Sequence, residues 1–224
     1  MLLFYYHCKD TIFPMIEKRS FNFQNCPVLI FTINSTLKAA IIDLTTILDL
    51  IGKSNFQHIN HDATQFLLEK IYPFKESPIV YHEVSGLPKL KNFPFSISKS
   101  HSHNFLAVCL EQKDRTGCDI ELIRPKVIRV REKFLNKHEL NYIDENNIKK
   151  NILAWSIKES LLKVNSQRSF NYLDNIIVKQ IIETNSKEFM SEALLLEDKP
   201  KICSLKSWEI ENFIFTVVEK ISEF

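Results

Sequence analysis

Glycine is nearly absent from this chain of 224 residues, which has only Gly52, Gly86 and Gly117. Loops that bind phosphate with backbone amides need several glycines close together, because other residues resist positive φ angles and close backbone approach. A P-loop at Gly52-Lys53-Ser54 would need glycine at position 47, where the sequence has Ile47. A chain of this kind is expected to bind phosphate through side chains and a metal ion.

The composition is that of a globular protein, with 45% hydrophobic and 25% charged residues. The 29 Lys and Arg nearly balance the 27 Asp and Glu, so no nucleic-acid partner is expected. The cysteines form no CxxC pair, which argues against a disulfide framework or a zinc site. No apolar stretch reaches the length of a membrane span. We therefore expect a cytoplasmic protein with no membrane partner.

Apolar periodicity predicts an α+β fold with strand–helix units in each half of the chain. The predicted helices cover 35–51, 61–71, 126–134, 137–145 and 148–164. The predicted strands cover 2–7, 28–32, 79–82, 93–98, 105–110, 117–122, 176–182, 193–196, 207–210 and 213–218. We expect 105–110 and 117–122 to form a strand pair, with a domain boundary near 111–116.

Two acidic residues lie two positions apart in Asp119-Ile120-Glu121, within the predicted strand 117–122. Because side chains alternate along a strand, both carboxylates are expected on one face and Ile120 on the other. This arrangement suits a hard cation such as Mg²⁺, which binds one or two carboxylates and completes its shell with water and phosphate oxygens. Taken alone, the pattern is more often that of a half-exposed strand with acidic residues outward.

The segment 155–163 reads Trp-Ser-Ile-Lys-Glu-Ser-Leu-Leu-Lys and lies in the predicted helix 148–164. Glu159 and Lys163 are four residues apart and share a helix face with Trp155. A third carboxylate beside a cation would complete a metal site and hold a phosphate group. The alternative is a surface ion pair beside a buried tryptophan, which is the favoured interpretation for an isolated helix.

A third motif, Ser100-His101-Ser102, follows the predicted strand 93–98. Hydroxyls, an imidazole and backbone amides at a strand end bind phosphate, and the alternative is a polar turn. A serine hydrolase is excluded, because its nucleophile lies in a Gly-x-Ser-x-Gly turn that no serine of this chain occupies.

These three motifs, in this order and at this spacing, resemble the 4′-phosphopantetheinyl transferase superfamily. Ser100-His101-Ser102 is followed by Gly-x-Asp-Ile-Glu at 117–121 and by Trp-Ser-x-Lys-Glu-Ser-x-x-Lys at 155–163. Between them, 123–126 and 134–140 resemble the proline-containing link and the helix start of that family. The length and layout are similar to those of its larger, Sfp-type class.

The resemblance implies two similar α/β halves in one chain, 1–112 and 113–224, with the site between them. It implies an enzyme that transfers the 4′-phosphopantetheine arm of coenzyme A to a serine of an apo acyl or peptidyl carrier protein. Adenosine 3′,5′-bisphosphate would be released. The resemblance does not specify which carrier is modified. A monomer is expected, since one chain would contain the whole site.

The resemblance also implies a role for each motif residue. Mg²⁺ would be held by three carboxylates, Asp119, Glu121 and Glu159. Lys163 would contact the pyrophosphate, while Ser100 and His101 would contact the phosphates of coenzyme A. Glu159, or a metal-bound water beside it, would take the proton of the carrier serine, although a metal-bound carboxylate is a weak base. Phosphoryl transfer depends chiefly on positioning and charge neutralisation, which such a set supplies.

Two cations of the family pattern are missing here. Leu87 stands where the family has lysine in a Gly-Lys-Pro turn, and Lys89 or Lys91 is the candidate replacement. Gln65 stands where the family has arginine. Two lost cations would each weaken the binding of an anionic ligand by roughly 1–3 kcal/mol. Lys99, just before the serine motif, is either a relocated cation or an exposed strand residue, and the second interpretation is preferred.

Three functions remain open from the sequence. The leading one is an active but divergent transferase. The second is a non-catalytic homologue that binds coenzyme A or a carrier protein, and the third is an unrelated α+β protein in which these residues are structural. Carrier recognition is assigned to the basic segment 126–137, whose alternative is a solvated helix face; its cations are Lys126, Arg129, Arg131 and Lys133.

Overall fold

The computed structural model describes residues 16–23, 26–51, 56–84, 86–165 and 170–223. In chain order the elements are β1 (Ile16–Phe23), β2 (Cys26–Thr32), β3 (Leu37–Asp43), α1 (Thr45–Ile51), α2 (Phe56–Ile71), β4 (Val80–His82), β5 (Pro88–Leu90), β6 (Ser96–Ser102), β7 (Phe105–Glu111), β8 (Cys118–Leu122), a 3₁₀ helix (Pro125–Lys133), α3 (Lys137–Tyr142), α4 (Ile148–Val164), β9 (Ile176–Asn185), β10 (Glu188–Leu195), β11 (Lys201–Ile210) and β12 (Phe213–Glu223). The predicted mixture of helices and strands is confirmed. The strand predicted over 2–7 lies outside the described residues.

Two five-stranded sheets and the β4–β5 hairpin make up the strands of the described residues. The first sheet has the order β1-β2-β3-β7-β6 and the second the order β8-β12-β11-β10-β9, and neighbouring strands are antiparallel. The predicted pairing of 105–110 with 117–122 is therefore wrong. Every residue of β7 is buried, as in a central strand, and its two edges are taken by β3 and β6. The chain then crosses to the second sheet, where β8 pairs with β12.

The buried side chains arrange these elements in four layers. α2 covers the outer face of the first sheet, where Leu67 and Val108 belong to one core. The inner faces of the two sheets share a second core, in which the rings of Phe31 and Phe215 lie 5.3 Å apart. On the outer face of the second sheet, Leu161 of α4 belongs to a third core. The site described below lies on that face, between α4 and the edge strand β8.

The helix predicted over 35–51 is wrong in its first part. Leu37–Asp43 is the strand β3, and only Thr45–Ile51 is helical. The apolar spacing fits a helix, but 39–42 is a continuous apolar run that is buried throughout, which is typical of an interior strand. The turn before the strand is held by Asn34, whose Oδ1 accepts hydrogen bonds from the backbone amides two and three residues later, at 2.9 and 2.8 Å.

The other predicted helices are confirmed, and all but α4 have different bounds. α4 has the predicted bounds, α2 begins earlier, at Phe56, and the segment predicted as a helix over 126–134 is a 3₁₀ helix. The helix predicted over 137–145 ends at Tyr142, because Ile143 has an extended backbone and is fully buried. β9, β11 and β12 extend beyond the ranges predicted for them, whereas β10 begins five residues earlier than predicted and ends one residue earlier.

The described part of the chain contains no helix that is long and apolar enough to cross a membrane. Its cysteines are all buried and form no disulfide with one another; they are Cys26, Cys109, Cys118 and Cys203. They occupy core positions, as small apolar residues do.

Candidate active site

β8 carries two carboxylates on the face that α4 covers. Ile120 points into the core between the sheets, whereas Asp119 and Glu121 contact side chains of α4. The predicted alternation along this strand is therefore confirmed. Asp119 is almost fully buried, with 2% of its surface exposed, and Glu121 is half-buried. The pattern is thus not that of a half-exposed strand with its acidic residues in solvent.

Gly117 allows α4 to lie this close to β8. A Cβ atom at this position would lie 1.9 Å from the backbone oxygen of Ser160 and 3.2 Å from a methyl group of Val164. Any other residue would push the helix away from the strand. The glycine of the Gly-x-Asp-Ile-Glu motif therefore sets the distance between the two elements that carry the carboxylates.

α4 presents Trp155, Glu159 and Lys163 on one face, one helical turn apart. Trp155 Nε1 donates a hydrogen bond to Glu121 Oε1 at 2.9 Å. Lys163 Nζ donates to Asp119 Oδ1 at 2.9 Å and to a backbone carbonyl of β8 at 2.9 Å. The pair at 159 and 163 is thus not a surface ion pair, because the lysine reaches across to a buried carboxylate of the strand.

Negative charge accumulates between the strand and the helix. Burial raises the pKa of Glu121, and the nearby charge of Asp119 raises it further. Burial also raises the pKa of Glu159, against the lowering effect of a hydrogen bond from Tyr172. Burial lowers the pKa of Lys163, but the surrounding negative groups, Asp119 first, outweigh it and raise the pKa overall. One lysine thus stands among three carboxylates, and a further cation would relieve their repulsion.

The donor set fits a divalent cation chemically. Asp119 Oδ2 is buried and accepts no hydrogen bond from the described residues, and carboxylate oxygens are the protein ligands that Mg²⁺ prefers. A cation would satisfy this oxygen and lessen the repulsion that contributes to the raised pKa of Glu121 and Glu159. Within the described ranges, no group of three or more His, Cys, Asp or Glu side chains lies close enough together to hold a metal ion. The carboxylates as they stand therefore do not form a complete ligand set.

The serine motif lies within β6, so the prediction that it follows the end of a strand is wrong. The strand continues through the motif, because Ser100, His101 and Ser102 pair with residues of β7. β6 carries serine at every second position. Ser96, Ser98 and Ser102 each accept a hydrogen bond from the backbone amide twenty residues later, at 3.3, 3.1 and 3.3 Å. These hydroxyls join the edge strands of the two sheets and satisfy amides that an edge strand otherwise leaves open. The alternation of serines thus fixes β8 against the first sheet.

Ser100 connects this row of hydrogen bonds between the two sheets to the carboxylates. Its Oγ donates to Asp119 Oδ1 at 2.8 Å, the oxygen that also accepts from Lys163. Ser102 Oγ lies 3.4 Å from Glu121 Oε2. The hydroxyls of the motif therefore contact the strand and its carboxylates, and the motif is not a polar turn.

Lys99 and His101 occupy alternate positions of β6, on the opposite side from the serines. Lys99 is half-buried against α2, with Nζ 3.4 Å from Asn60 Oδ1, and burial lowers its pKa. The preferred interpretation of Lys99 as an exposed strand residue is therefore wrong. Burial lowers the pKa of His101, and the charges of Lys163 and Lys99 lower it further. His82 is affected in the same way by burial and then by Lys99.

The remaining candidate residues lie elsewhere in the N-terminal part of the chain. Lys89 is half-buried in β5, opposite Tyr81, and no contact given by the described residues joins it to the carboxylates. Gln65 of α2 donates to Glu69 Oε1 at 2.9 Å and lines a cleft of about 480 Å³ between α2 and residues 77–80. None of the three candidate carboxylates lines this cleft.

One structural pair of the α4 motif escaped the sequence-based prediction. Lys158 lies on the other side of the helix and forms a fully buried ion pair with Glu139 of α3, at 2.7 Å. Its Nζ also donates to the carbonyls of Tyr172 and Ile176, each at 2.8 Å. The available signal is Asn136-x-x-Glu139, a capping box that marks the start of α3 and places Glu139 toward the core.

Tyr172 was also not predicted. It lies in the segment between α4 and β9, and its hydroxyl donates to Glu159 Oε1. No sequence motif predicts this contact, because it depends on how the loop folds back over the helix.

A comparison with protein families agrees with this geometry. A family model described as the 4′-phosphopantetheinyl transferase superfamily matches residues 115–218, from just before β8 into β12. The match includes the acidic strand motif and the α4 motif, and it begins after the serine motif. No curated protein matches the chain significantly. The predicted superfamily is confirmed: in residues 115–218, this chain carries a domain of the 4′-phosphopantetheinyl transferase superfamily.

Proposed function

We propose that this protein is an Sfp-type 4′-phosphopantetheinyl transferase that moves the phosphopantetheine arm of coenzyme A to a serine of an apo acyl or peptidyl carrier protein. The superfamily domain supports modification of a carrier protein in general. The observation that carries the finer proposal is the contact of Lys163 with Asp119, in a place that also holds Glu121 and Glu159. Adenosine 3′,5′-bisphosphate is the second product.

The catalytic unit comprises two halves, 1–112 and 113–224, with the site where they meet. This division is supported by the strands, since the first sheet uses 16–111 and the second uses 118–223. The hydrogen bond from Ser100 to Asp119 joins the two sheets at the site. One chain then supplies the whole site, and we propose that it acts as a monomer in the cytoplasm.

Three carboxylates, Asp119, Glu121 and Glu159, would hold Mg²⁺, which when bound neutralises charge on the pyrophosphate. Lys163 binds the same pyrophosphate, and for this it must exchange part of its contact with Asp119. Ser100 and His101 are proposed to contact coenzyme A as well, although the Ser100 hydroxyl already donates to Asp119. The set acts by positioning and charge neutralisation, which is what phosphoryl transfer requires.

The missing cations at Gln65 and Leu87 have a candidate replacement. Lys99 shares the side of β6 that carries His101, and its charge lowers the pKa of that histidine. We assign Lys99 to the phosphates of coenzyme A ahead of Lys89, because no described contact relates Lys89 to the site.

Glu159 is the proposed base for the carrier serine. Burial raises its pKa above the usual value of a glutamate, and a carboxylate with a raised pKa is a stronger base. Because it is also a proposed metal ligand, a metal-bound water beside it is the other candidate for this role.

The carrier is proposed to approach the 3₁₀ helix Pro125–Lys133. Lys126, Arg129 and Lys133 are exposed there, and carriers with acidic helices would meet complementary charge. Arg131 does not belong to this surface. Its Nε donates to Asn151 Oδ1 at 3.1 Å, and its guanidinium also binds the Ile143 carbonyl, so it packs the 3₁₀ helix onto α4.

The deciding experiment incubates the protein with coenzyme A, Mg²⁺ and a panel of apo carriers from fatty-acid, polyketide and nonribosomal-peptide systems. Intact mass spectrometry of each carrier is the measurement. We expect one phosphopantetheine arm on the serine of at least one carrier, and none after Mg²⁺ is removed with a chelator. Binding of coenzyme A without a mass gain on any carrier would contradict the transferase and favour a non-catalytic binding protein.

A further inference from the structure

Tyr172 contacts the candidate site through Glu159. Its hydroxyl donates to Glu159 Oε1. Its ring packs on Trp155, with centroids 5.2 Å apart, and Trp155 in turn donates to Glu121. Two neighbouring aromatic side chains thus each bind one of the two glutamates.

The backbone of Tyr172 is anchored as firmly as its ring. Its carbonyl accepts a 2.8 Å hydrogen bond from Lys158 Nζ, which is itself fixed by the fully buried ion pair with Glu139. Asn171 and Asn175, on either side, hold the turn through a hydrogen bond from the Asn171 amide to Asn175 Oδ1 at 3.0 Å. The hydroxyl is therefore held in place from its ring and from its backbone.

We propose that Tyr172 is a positioning residue that orients the Glu159 carboxylate for a divalent cation. The inference rests on the proposed function. By binding Oε1, the hydroxyl fixes the rotation of the carboxylate and leaves Oε2 as the oxygen available to a cation. Residues that hold a ligating carboxylate by a hydrogen bond commonly contribute 10- to 100-fold to metal affinity.

The test measures Mn²⁺ affinity of the full chain by electron paramagnetic resonance, with and without coenzyme A. Tyr172→Phe keeps the ring on Trp155 and removes only the hydroxyl. We expect its Mn²⁺ dissociation constant to rise about 10- to 100-fold. The Mg²⁺ concentration for half-maximal transfer should rise in parallel. The matched control is Tyr142→Phe, because the Tyr142 hydroxyl accepts from the Ile181 amide and has no hydrogen bond to a carboxylate among the described residues; its Mn²⁺ affinity should equal that of the wild type.

The outcomes separate this inference from the proposed function. Equal Mn²⁺ affinity in Tyr172→Phe and the wild type would overturn the role of Tyr172, whether or not a carrier is modified. A selective loss in Tyr172→Phe supports that role even if every carrier in the panel remains unmodified, an outcome that would refute only the transferase activity. Absence of Mn²⁺ binding by the wild type would overturn the metal site and the role of Tyr172 together.

Discussion

Helix α4 carries two lysine–carboxylate pairs that differ in almost every physical respect. Lys158 and Glu139 are both 0% exposed, and each Nζ proton has an acceptor within 2.8 Å. Lys163 is 22% exposed and shares Asp119 Oδ1 with Ser100, while the second carboxylate oxygen has no described partner. The first pair is closed and the second is incomplete.

The difference shows that the two lysines of one short motif have different roles. A closed pair has no capacity left for a ligand, so Lys158 serves to fasten α4, α3 and the Tyr172 segment. The incomplete pair retains a buried oxygen with no hydrogen-bond partner among the described residues and a lysine that is partly exposed, and both can still accept a ligand. Helical spacing places the two lysines on different faces of α4, and the partner that each face meets decides its role.

The largest expected stability effect comes from breaking the closed pair. Lys158→Met leaves Glu139 buried without a cation, and we expect a loss of about 3–5 kcal/mol in the free energy of unfolding. Chemical denaturation followed by tryptophan fluorescence measures it. Lys163→Met is the matched control and should cost less, because Lys163 is partly exposed and Asp119 keeps its bond from Ser100. Equal losses in the two variants would refute the comparison.

A smaller effect is expected where β8 meets α4. Gly117→Ala places a methyl group against the Ser160 carbonyl, and the helix must shift, at a cost of about 1–3 kcal/mol. Because the shift moves Lys163 away from Asp119, carrier modification should fall as well. Gly86→Ala is the control: it meets no atom within 4 Å and is strained only by its φ of +88°, so transfer should be unaffected. Wild-type stability in Gly117→Ala would show that this contact does not hold the helix.

The smallest effect is electrostatic and sharpens the contrast between the pairs. The charge of Lys163 lowers the pKa of His101, so Lys163→Met should raise that pKa, whereas Lys163→Arg should leave it low. Titration of the histidine Cε1 protons by NMR measures it. A histidine whose pKa falls on folding binds fewer protons in the folded state. The lowered pKa of His101 therefore reduces the free energy of unfolding below about pH 6.5, where the histidine is protonated in the unfolded chain. An unchanged pKa of His101 in Lys163→Met would place Lys163 outside its neighbourhood.

Much of the site was predictable because its residues lie on regular elements. Strand alternation places Asp119 and Glu121 on one face, and helical spacing places Glu159 and Lys163 together; both follow from local geometry. The bounds of α4 were predicted without error for the same reason. Both elements also lie within the superfamily match, together with the elements that follow them.

What could not be predicted depends on contacts between distant segments. The serines of β6 alternate visibly, but the amides that they bind lie twenty residues later, in or just before β8 of the other sheet. Tyr172 reaches Glu159 only because its loop folds back over α4. β3 was predicted as a helix because apolar spacing alone does not distinguish a fully buried strand from a helix. In each case the deciding partner is set by tertiary structure.

Of the two lysine–carboxylate pairs, Lys163 and Asp119 are the one that we assign to catalysis. The direct measurement is intact mass of an apo carrier after incubation with coenzyme A and Mg²⁺ and either Asp119→Asn or Glu139→Gln, each with its unfolding curve. We predict that Asp119→Asn keeps most of its stability and loses transfer by at least ~100-fold. Glu139→Gln should lose stability, while the fraction that remains folded still modifies the carrier. Transfer by Asp119→Asn at the wild-type rate would contradict the account.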